Sequence, residues 1–152
     1  MNEAIMIPLI KVRRCEWRDL NRVLEIERSS FDQPYDLSIF IYYLTNESER
    51  FLVAEEDDYV VGYIISSILN DVGLIISLAV DERWRRKGVG TKLLEMALQH
   101  LSNRVKRVEL QVRVSNESAI QFYRRFGFRI KKRIERYYLD GEDAYLMVKD
   151  FI

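Results

Sequence analysis

Arg83, Arg85, Arg86, Lys87, Gly88 and Gly90 crowd into one short stretch, and their types and spacing are the first sign of chemistry in the chain. An apolar run of strand length, Leu74 to Val80, precedes them. After them Val89, Leu93, Leu94, Ala97, Leu98 and Leu101 recur at three- and four-residue steps, one face of a helix. A strand therefore passes through a basic turn directly into a helix. The first turn of a helix leaves N–H groups without partners and carries the positive end of the macrodipole. Glycine there lets a ligand approach the backbone with no Cβ in the way. The turn thus suits a phosphate or pyrophosphate. The alternative reading of the same residues is a glycine-containing helix entry with solvated arginines. Neither the Walker pattern nor the dinucleotide G-x-G-x-x-G is completed.

Other chemistries are excluded by supply. The chain has one cysteine, Cys15, and one histidine, His100, too few for a zinc site, so no metal is expected. His100 reads as a helix-surface residue, and Cys15, beside Glu16 and Trp17, as inert packing. The 24 basic and 24 acidic residues cancel, so no nucleic-acid partner is expected despite the local basic turn. No apolar run approaches the roughly 20 residues of a membrane span. Met1 to Pro8 has neither a basic start nor a small-residue cleavage site, so no signal peptide is read and the expected location is cytoplasmic.

The 152 residues suit a single domain, 1–152. Ile10 to Arg14 reads as a first strand, Asp19 to Ser29 as a helix, and Leu37 to Thr45 as a second, capped by Asp36 or Ser38 after the break at Pro34. Phe51 to Ala54, Tyr59 to Leu69 and Leu74 to Val80 form an antiparallel meander, the last reading as a strand buried on both faces. Val108, Leu110, Val112 and Val114 alternate with polar residues in a further strand. Ser115 or Asn116 caps a helix that Gly127 closes. Phe128 to Tyr138 and Ala144 to Val148 then read as a hairpin turning at Leu139-Asp140-Gly141-Glu142. The order β-α-α-β-β-β-α-β-α-β-β makes a mixed α/β, or α+β, domain.

Arg-x-x-Gly-x-Gly after a strand resembles the acetyl-CoA motif of the GCN5-related N-acetyltransferase (GNAT) family. The likeness extends through Val112 to Ile120 with Tyr123 and Gly127-Phe128. It reaches Tyr137 to Met147, which looks like the C-terminal hairpin of the Ard1/RimI branch, whose members acetylate protein N-termini. The resemblance implies a mixed, mostly antiparallel seven-stranded sheet flanked by about four helices, with acetyl-CoA as cosubstrate. It implies that Leu78, Ala79 and Val80 pair with the pantetheine arm and that Arg85, Arg86, Lys87, Gly88, Val89, Gly90 and Thr91 hold the pyrophosphate. Asn116 would bond the pantetheine, and Tyr123 would stand near the thioester sulfur as general acid. Phe31, Asp32, Pro34 and Tyr35 would wall the substrate groove, opposite Tyr137 and Tyr138. Without the resemblance, Tyr123 reads as a core residue, Tyr137 and Tyr138 as ordinary strand tyrosines, and Pro34-Tyr35 as an ordinary loop.

One position departs from the family. Its usual Glu or His base is Gln111 here, which has no basic lone pair at neutral pH, and a tyrosine base of other members aligns with Leu74. Glu109, two residues along the same strand face, and Glu27, at the end of the first helix, are the candidate replacements, each with a plain surface carboxylate as its alternative. The expected function is direct acetyl transfer to the α-amine of protein N-termini. Acetylation of small amines and a non-catalytic CoA-binding role are the rivals, and a need for an auxiliary subunit is left open.

Overall fold

A computed structural model describes residues 9–151; Met1 to Pro8, the stretch read as carrying no signal peptide, lies outside them. The elements are β1 (Lys11–Arg14), α1 (Leu20–Ser30), α2 (Leu37–Asn46), β2 (Phe51–Glu56), β3 (Tyr59–Leu69), β4 (Val72–Val80), α3 (Val89–Leu101), β5 (Arg107–Arg113), α4 (Glu117–Arg125), β6 (Arg129–Ile134) and β7 (Ala144–Asp150). The seven strands make one sheet in the order β1-β2-β3-β4-β5-β7-β6. Pairing is antiparallel for β1 with β2, β2 with β3, β5 with β7 and β6 with β7, and parallel for β4 with β5. This is the mixed, mostly antiparallel seven-stranded α/β fold with four helices that the resemblance implied.

Residues 9–66 with Ser77–Gln99 form one compact unit, and Ser67–Ile76 with 100–151 another. In the first, Phe40, Phe51 and Tyr63 are fully buried, and the Phe40 and Tyr63 rings meet edge to face at 5.8 Å. Val89, Leu93 and Leu94 of α3 are buried as their spacing requires. Gly62 lets α3 lie this close to the sheet. A Cβ there would fall 3.1 Å from the Ala79 carbonyl oxygen and 3.2 Å from both Leu93 Cδ1 and Val89 Cγ1, tighter than ordinary packing. The start of α3, and with it the basic turn, is thereby seated on β3 and the end of β4. In the second unit Val108, Leu110 and Val112 are buried, and Asn116 caps α4 by accepting the Ala119 N–H at 3.2 Å. Gly127, at φ +89°, ends it in the left-handed conformation.

Two expectations are corrected. β4 is not buried on both faces: Gly73, Ile75, Ser77 and Ala79 are buried, whereas Leu74, Ile76, Leu78 and Val80 keep partial exposure. An apolar run cannot distinguish a face covered by protein from one left open, so the alternation was invisible in the sequence. The C-terminal hairpin also turns earlier. β6 stops at Ile134, opposite Ala144, so residues 135–143 form a long connection, and Tyr137 and Tyr138 lie in it rather than on a strand. Asp143 explains the stop, because its carboxylate accepts the Arg136 N–H at 2.9 Å and Arg133 Nε at 2.6 Å, drawing the backbone out of the ladder.

Candidate functional site

The basic turn is pinned from beneath by Asp81. Its carboxylate caps a short 3₁₀ turn, Glu82–Trp84, by accepting the Arg83 N–H at 2.9 Å, and it also receives the Arg22 guanidinium from α1 and the Arg83 side chain. Burial alone would push the Asp81 carboxyl up. The bonds from Arg83 and Arg22 outweigh it and hold the group well below the usual carboxylate range. A depressed folded value gives stability above the free-chain value near 3.9 that disappears as the pH falls through the folded one. Asp81→Ala should therefore lower the unfolding free energy by about 1–3 kcal/mol near neutral pH, with the deficit shrinking below about pH 4. Thermal unfolding followed across that range checks both.

Of the turn's four cations, two are already engaged. Arg83 serves Asp81, and Arg85 reaches back to the Val80 carbonyl at 3.0 Å and Ser30 Oγ at 3.3 Å. Arg86 and Lys87 are exposed and make no ion pair among the described residues. Arg86 (φ +63°) and Gly88 (φ +82°) turn the chain through left-handed positions, and a Cβ on Gly88 would meet no atom within 4 Å. The Lys92 N–H bonds the Gly88 carbonyl at 3.0 Å, so the preceding amides of residues 88–91 are the ones an α-helix leaves without acceptors. Two exposed cations with no ion pair among the described residues, four amides that the helix itself leaves without acceptors, and open space beside Gly88 at a positive dipole end suit a polyanion.

Behind the turn, α1 ends in the 31–36 loop. Phe31 and Tyr35 are 37% and 44% exposed, and Asp32 and Pro34 are exposed as well, so this predicted wall presents its side chains outward. Glu27 is not on the surface. It is 2% exposed, and its carboxylate accepts the Tyr35 N–H at 2.9 Å, Ser77 Oγ at 3.1 Å and the Tyr63 hydroxyl. Burial, and next the Glu27 charge, push the Tyr63 phenol well above its ordinary value, so it stays a donor. At 2% exposure, with three donors already in place, this carboxylate is set in the interior rather than on the surface.

In the second unit Tyr123 lies half-buried on α4, its ring 5.2 Å from Phe122 and 5.6 Å from Phe128. Desolvation, with the nearby Tyr138 phenol, raises its pKa, so the hydroxyl carries its proton throughout the neutral range. Asn116 is exposed. Its carboxamide oxygen caps α4, leaving the NH₂ as the half free to meet a ligand. Gln111 is exposed on β5, and Glu109 accepts Arg107 Nε at 2.6 Å with its side chain 18% exposed. Glu109 is thus neither an isolated base nor a plain surface carboxylate. Tyr137 and Tyr138 meet edge to face at 5.0 Å, and Arg113 stacks on Tyr138 at 4.1 Å while bonding Asp140 and Glu142 at 2.8 Å each. That clamp orders the 135–143 connection.

Sequence reasoning missed Tyr63, Ser77, Asp81 with Arg22, and Arg113. Ser77 was the readable signal, as the polar residue inside the run Leu74 to Val80, because a buried hydroxyl needs a partner. Tyr63 gave none, sitting in an apolar strand where a tyrosine reads as packing. Among the described residues no group of three or more His, Cys, Asp and Glu could hold a metal ion, and no helix is long and apolar enough to cross a membrane.

Compared with known proteins, residues 17–128 match the model of the Acetyltransferase (GNAT) family. An uncharacterized N-acetyltransferase of Methanocaldococcus jannaschii is 43% identical over 140 residues, which cover 91% of this chain and 90% of that protein. An N-alpha-acetyltransferase of Sulfurisphaera tokodaii is 36% identical over 151 residues, covering 90% of each. The crystal structure of Ard1 from Thermoplasma volcanium superposes with a TM-score of 0.89 at 31% identity, covering 94% of this chain and 98% of that one.

Proposed function

Because the chain belongs to the GNAT family of acetyltransferases, we propose that it transfers the acetyl group of acetyl-CoA directly to the free α-amine of protein N-termini. The observation that carries the reading is the cradle at the start of α3. The amides of Gly88, Val89, Gly90 and Thr91, with Arg86 and Lys87, face a pyrophosphate, and Arg85 holds the turn in shape against Val80. Along β4, the parallel ladder to β5 covers Val72 to Leu74, while the strand continues to Val80. Leu78, Ala79 and Val80 lie in that remainder, where a pantetheine arm finds backbone to pair with and a half-open apolar face. In the second unit, the Asn116 NH₂ is the group that the resemblance gives to the pantetheine.

The neutral amine attacks the thioester carbonyl carbon, a C–N bond forms as the C–S bond breaks, and a backbone N–H on β4 holds the oxyanion. Tyr123 donates the proton that the departing thiolate takes. A free α-amine has a pKa of about 7.7–8.0, so a useful fraction is already neutral near pH 7; a lysine amine near 10.4 is not. A site with Gln111 where a strong base usually stands is thus suited to α-amines. Phe31, Asp32, Pro34 and Tyr35, exposed on the loop after α1, are the residues assigned to the peptide.

Glu109 is the group we place to receive the amine's proton, through water, from its pair with Arg107. Glu109→Gln should lower kcat/KM near pH 7 and flatten the acidic limb of its pH profile. Unchanged rates from about pH 6 to 9 would remove Glu109 and leave selection of the neutral amine from solution. Thiol release from acetyl-CoA, compared between short peptides with free N-termini and a polyamine, tests the substrate class. Turnover confined to the polyamine would replace the peptide reading with the small-amine one.

A further inference from the structure

Glu27 combines deep burial with donors from three different elements. Tyr63 of β3 and Ser77 of β4 bond one carboxylate oxygen, and the Tyr35 N–H of the 31–36 loop bonds the other. Tyr63 and Ser77 also bond each other at 2.9 Å, closing the network into a triangle. All three donors are neutral, so the carboxylate is held by hydrogen bonds, an arrangement that fixes direction more than it neutralises charge.

The donors sit at telling places. Ser77 directly precedes Leu78, the first residue given to the pantetheine arm. Tyr35 follows Pro34 in the loop given to the peptide, and while the residue is 44% exposed its backbone N–H is tied inside. The loop therefore hangs from Glu27 by its backbone and shows its aromatic side chains outward. The Phe31 N–H, bonded to the Glu27 carbonyl at 3.1 Å, anchors its other end to the same residue. We propose that Glu27 is a positioning residue that locks the 31–36 loop to β3 and β4, setting the peptide-binding wall in register with the strand that receives acetyl-CoA. The inference rests on the N-terminal acetyltransferase reading.

A latch and a base respond differently to the same substitution. Gln keeps an oxygen to accept the Tyr35 N–H, and its NH₂ can donate to the Tyr63 or Ser77 hydroxyl oxygen, so Glu27→Gln preserves a latch and abolishes a base. Glu27→Ala removes every bond. Steady-state kinetics with an N-terminal peptide and hydrogen exchange of the 31–36 amides should be measured on the wild type and on the Gln, Ala and Tyr63→Phe variants.

The expected result for Ala is a peptide KM raised about tenfold or more, an acetyl-CoA KM little altered, and faster exchange in 31–36. Gln should restore both quantities to within about threefold of wild type. Tyr63→Phe, which keeps the buried ring, should move them in the direction of Ala by less, and it decides the matter should Ala not fold. A Gln variant that loses kcat as the loss of a base would require, or loop exchange unchanged when the bonds are removed, would overturn the proposal. A wild-type protein inactive on peptides would sink the functional reading instead, while loop exchange would still decide the latch.

Discussion

Tyr123→Phe is expected to lower kcat by about 10²- to 10⁴-fold while the KM for acetyl-CoA stays near that of the wild type. The ring is fixed by Phe122 and Phe128, contacts that a phenylalanine keeps, and the hydroxyl has no hydrogen-bond partner among the described residues. Removing it thus strands no buried group, and the melting temperature should hold, so the loss can be assigned to chemistry rather than to folding. The raised pKa of the phenol means that the proton is present at every working pH. Loss of this acid should accordingly scale the whole kcat profile down without shifting its limbs. A variant with wild-type kcat would return Tyr123 to the core residue its place in the α4 stripe first suggests, with the thiolate leaving unaided.

The second large effect is on acetyl-CoA binding. Gly88→Val is expected to weaken it by about 100-fold, the equivalent of losing one or two hydrogen bonds to a charged group. The obvious objection is backbone strain, since Gly88 stands at φ +82°. Gly141, at φ +90° in the 135–143 connection, supplies the control, because a Cβ at either glycine meets no protein atom within 4 Å. Gly141→Val imposes a similar left-handed penalty outside the basic turn and should leave acetyl-CoA affinity by calorimetry near wild type. Equal losses in both variants would mean that strain, not a blocked pyrophosphate, was being measured.

Much of this architecture was legible because its signals are local. The α3 face from Val89 to Leu101, the Asp36 and Asn116 caps and the left-handed Gly127 each follow from a few neighbouring residues, and each is present. The basic turn between β4 and α3 was legible for the same reason, although sequence could not say that Arg83 and Arg85 are occupied by Asp81, Val80 and Ser30 while Arg86 and Lys87 make no ion pair among the described residues. What stayed hidden depends on distant pairings. Glu27 finds Tyr63 and Ser77 across 36 and 50 residues, which turned an apparent solvent-side carboxylate into a buried one. The end of β6 is set by Asp143, and the residues from Phe128 to Tyr138, with no Gly or Pro among them, give no warning of it. The open face of β4 escaped because an apolar side chain reads alike whether its neighbour is to be protein or ligand.

The central claim is that acetyl groups go to α-amines, and mass spectrometry of one peptide tests it most directly. The peptide carries a free N-terminus and an internal lysine, and it is incubated with the protein and acetyl-CoA alongside a copy whose N-terminus is blocked. The account predicts a single acetyl group, located by fragmentation on the N-terminal residue, and no modification of the blocked copy. Acetylation of the lysine in the blocked peptide at a comparable rate, or of neither peptide while acetyl-CoA is bound, would contradict it.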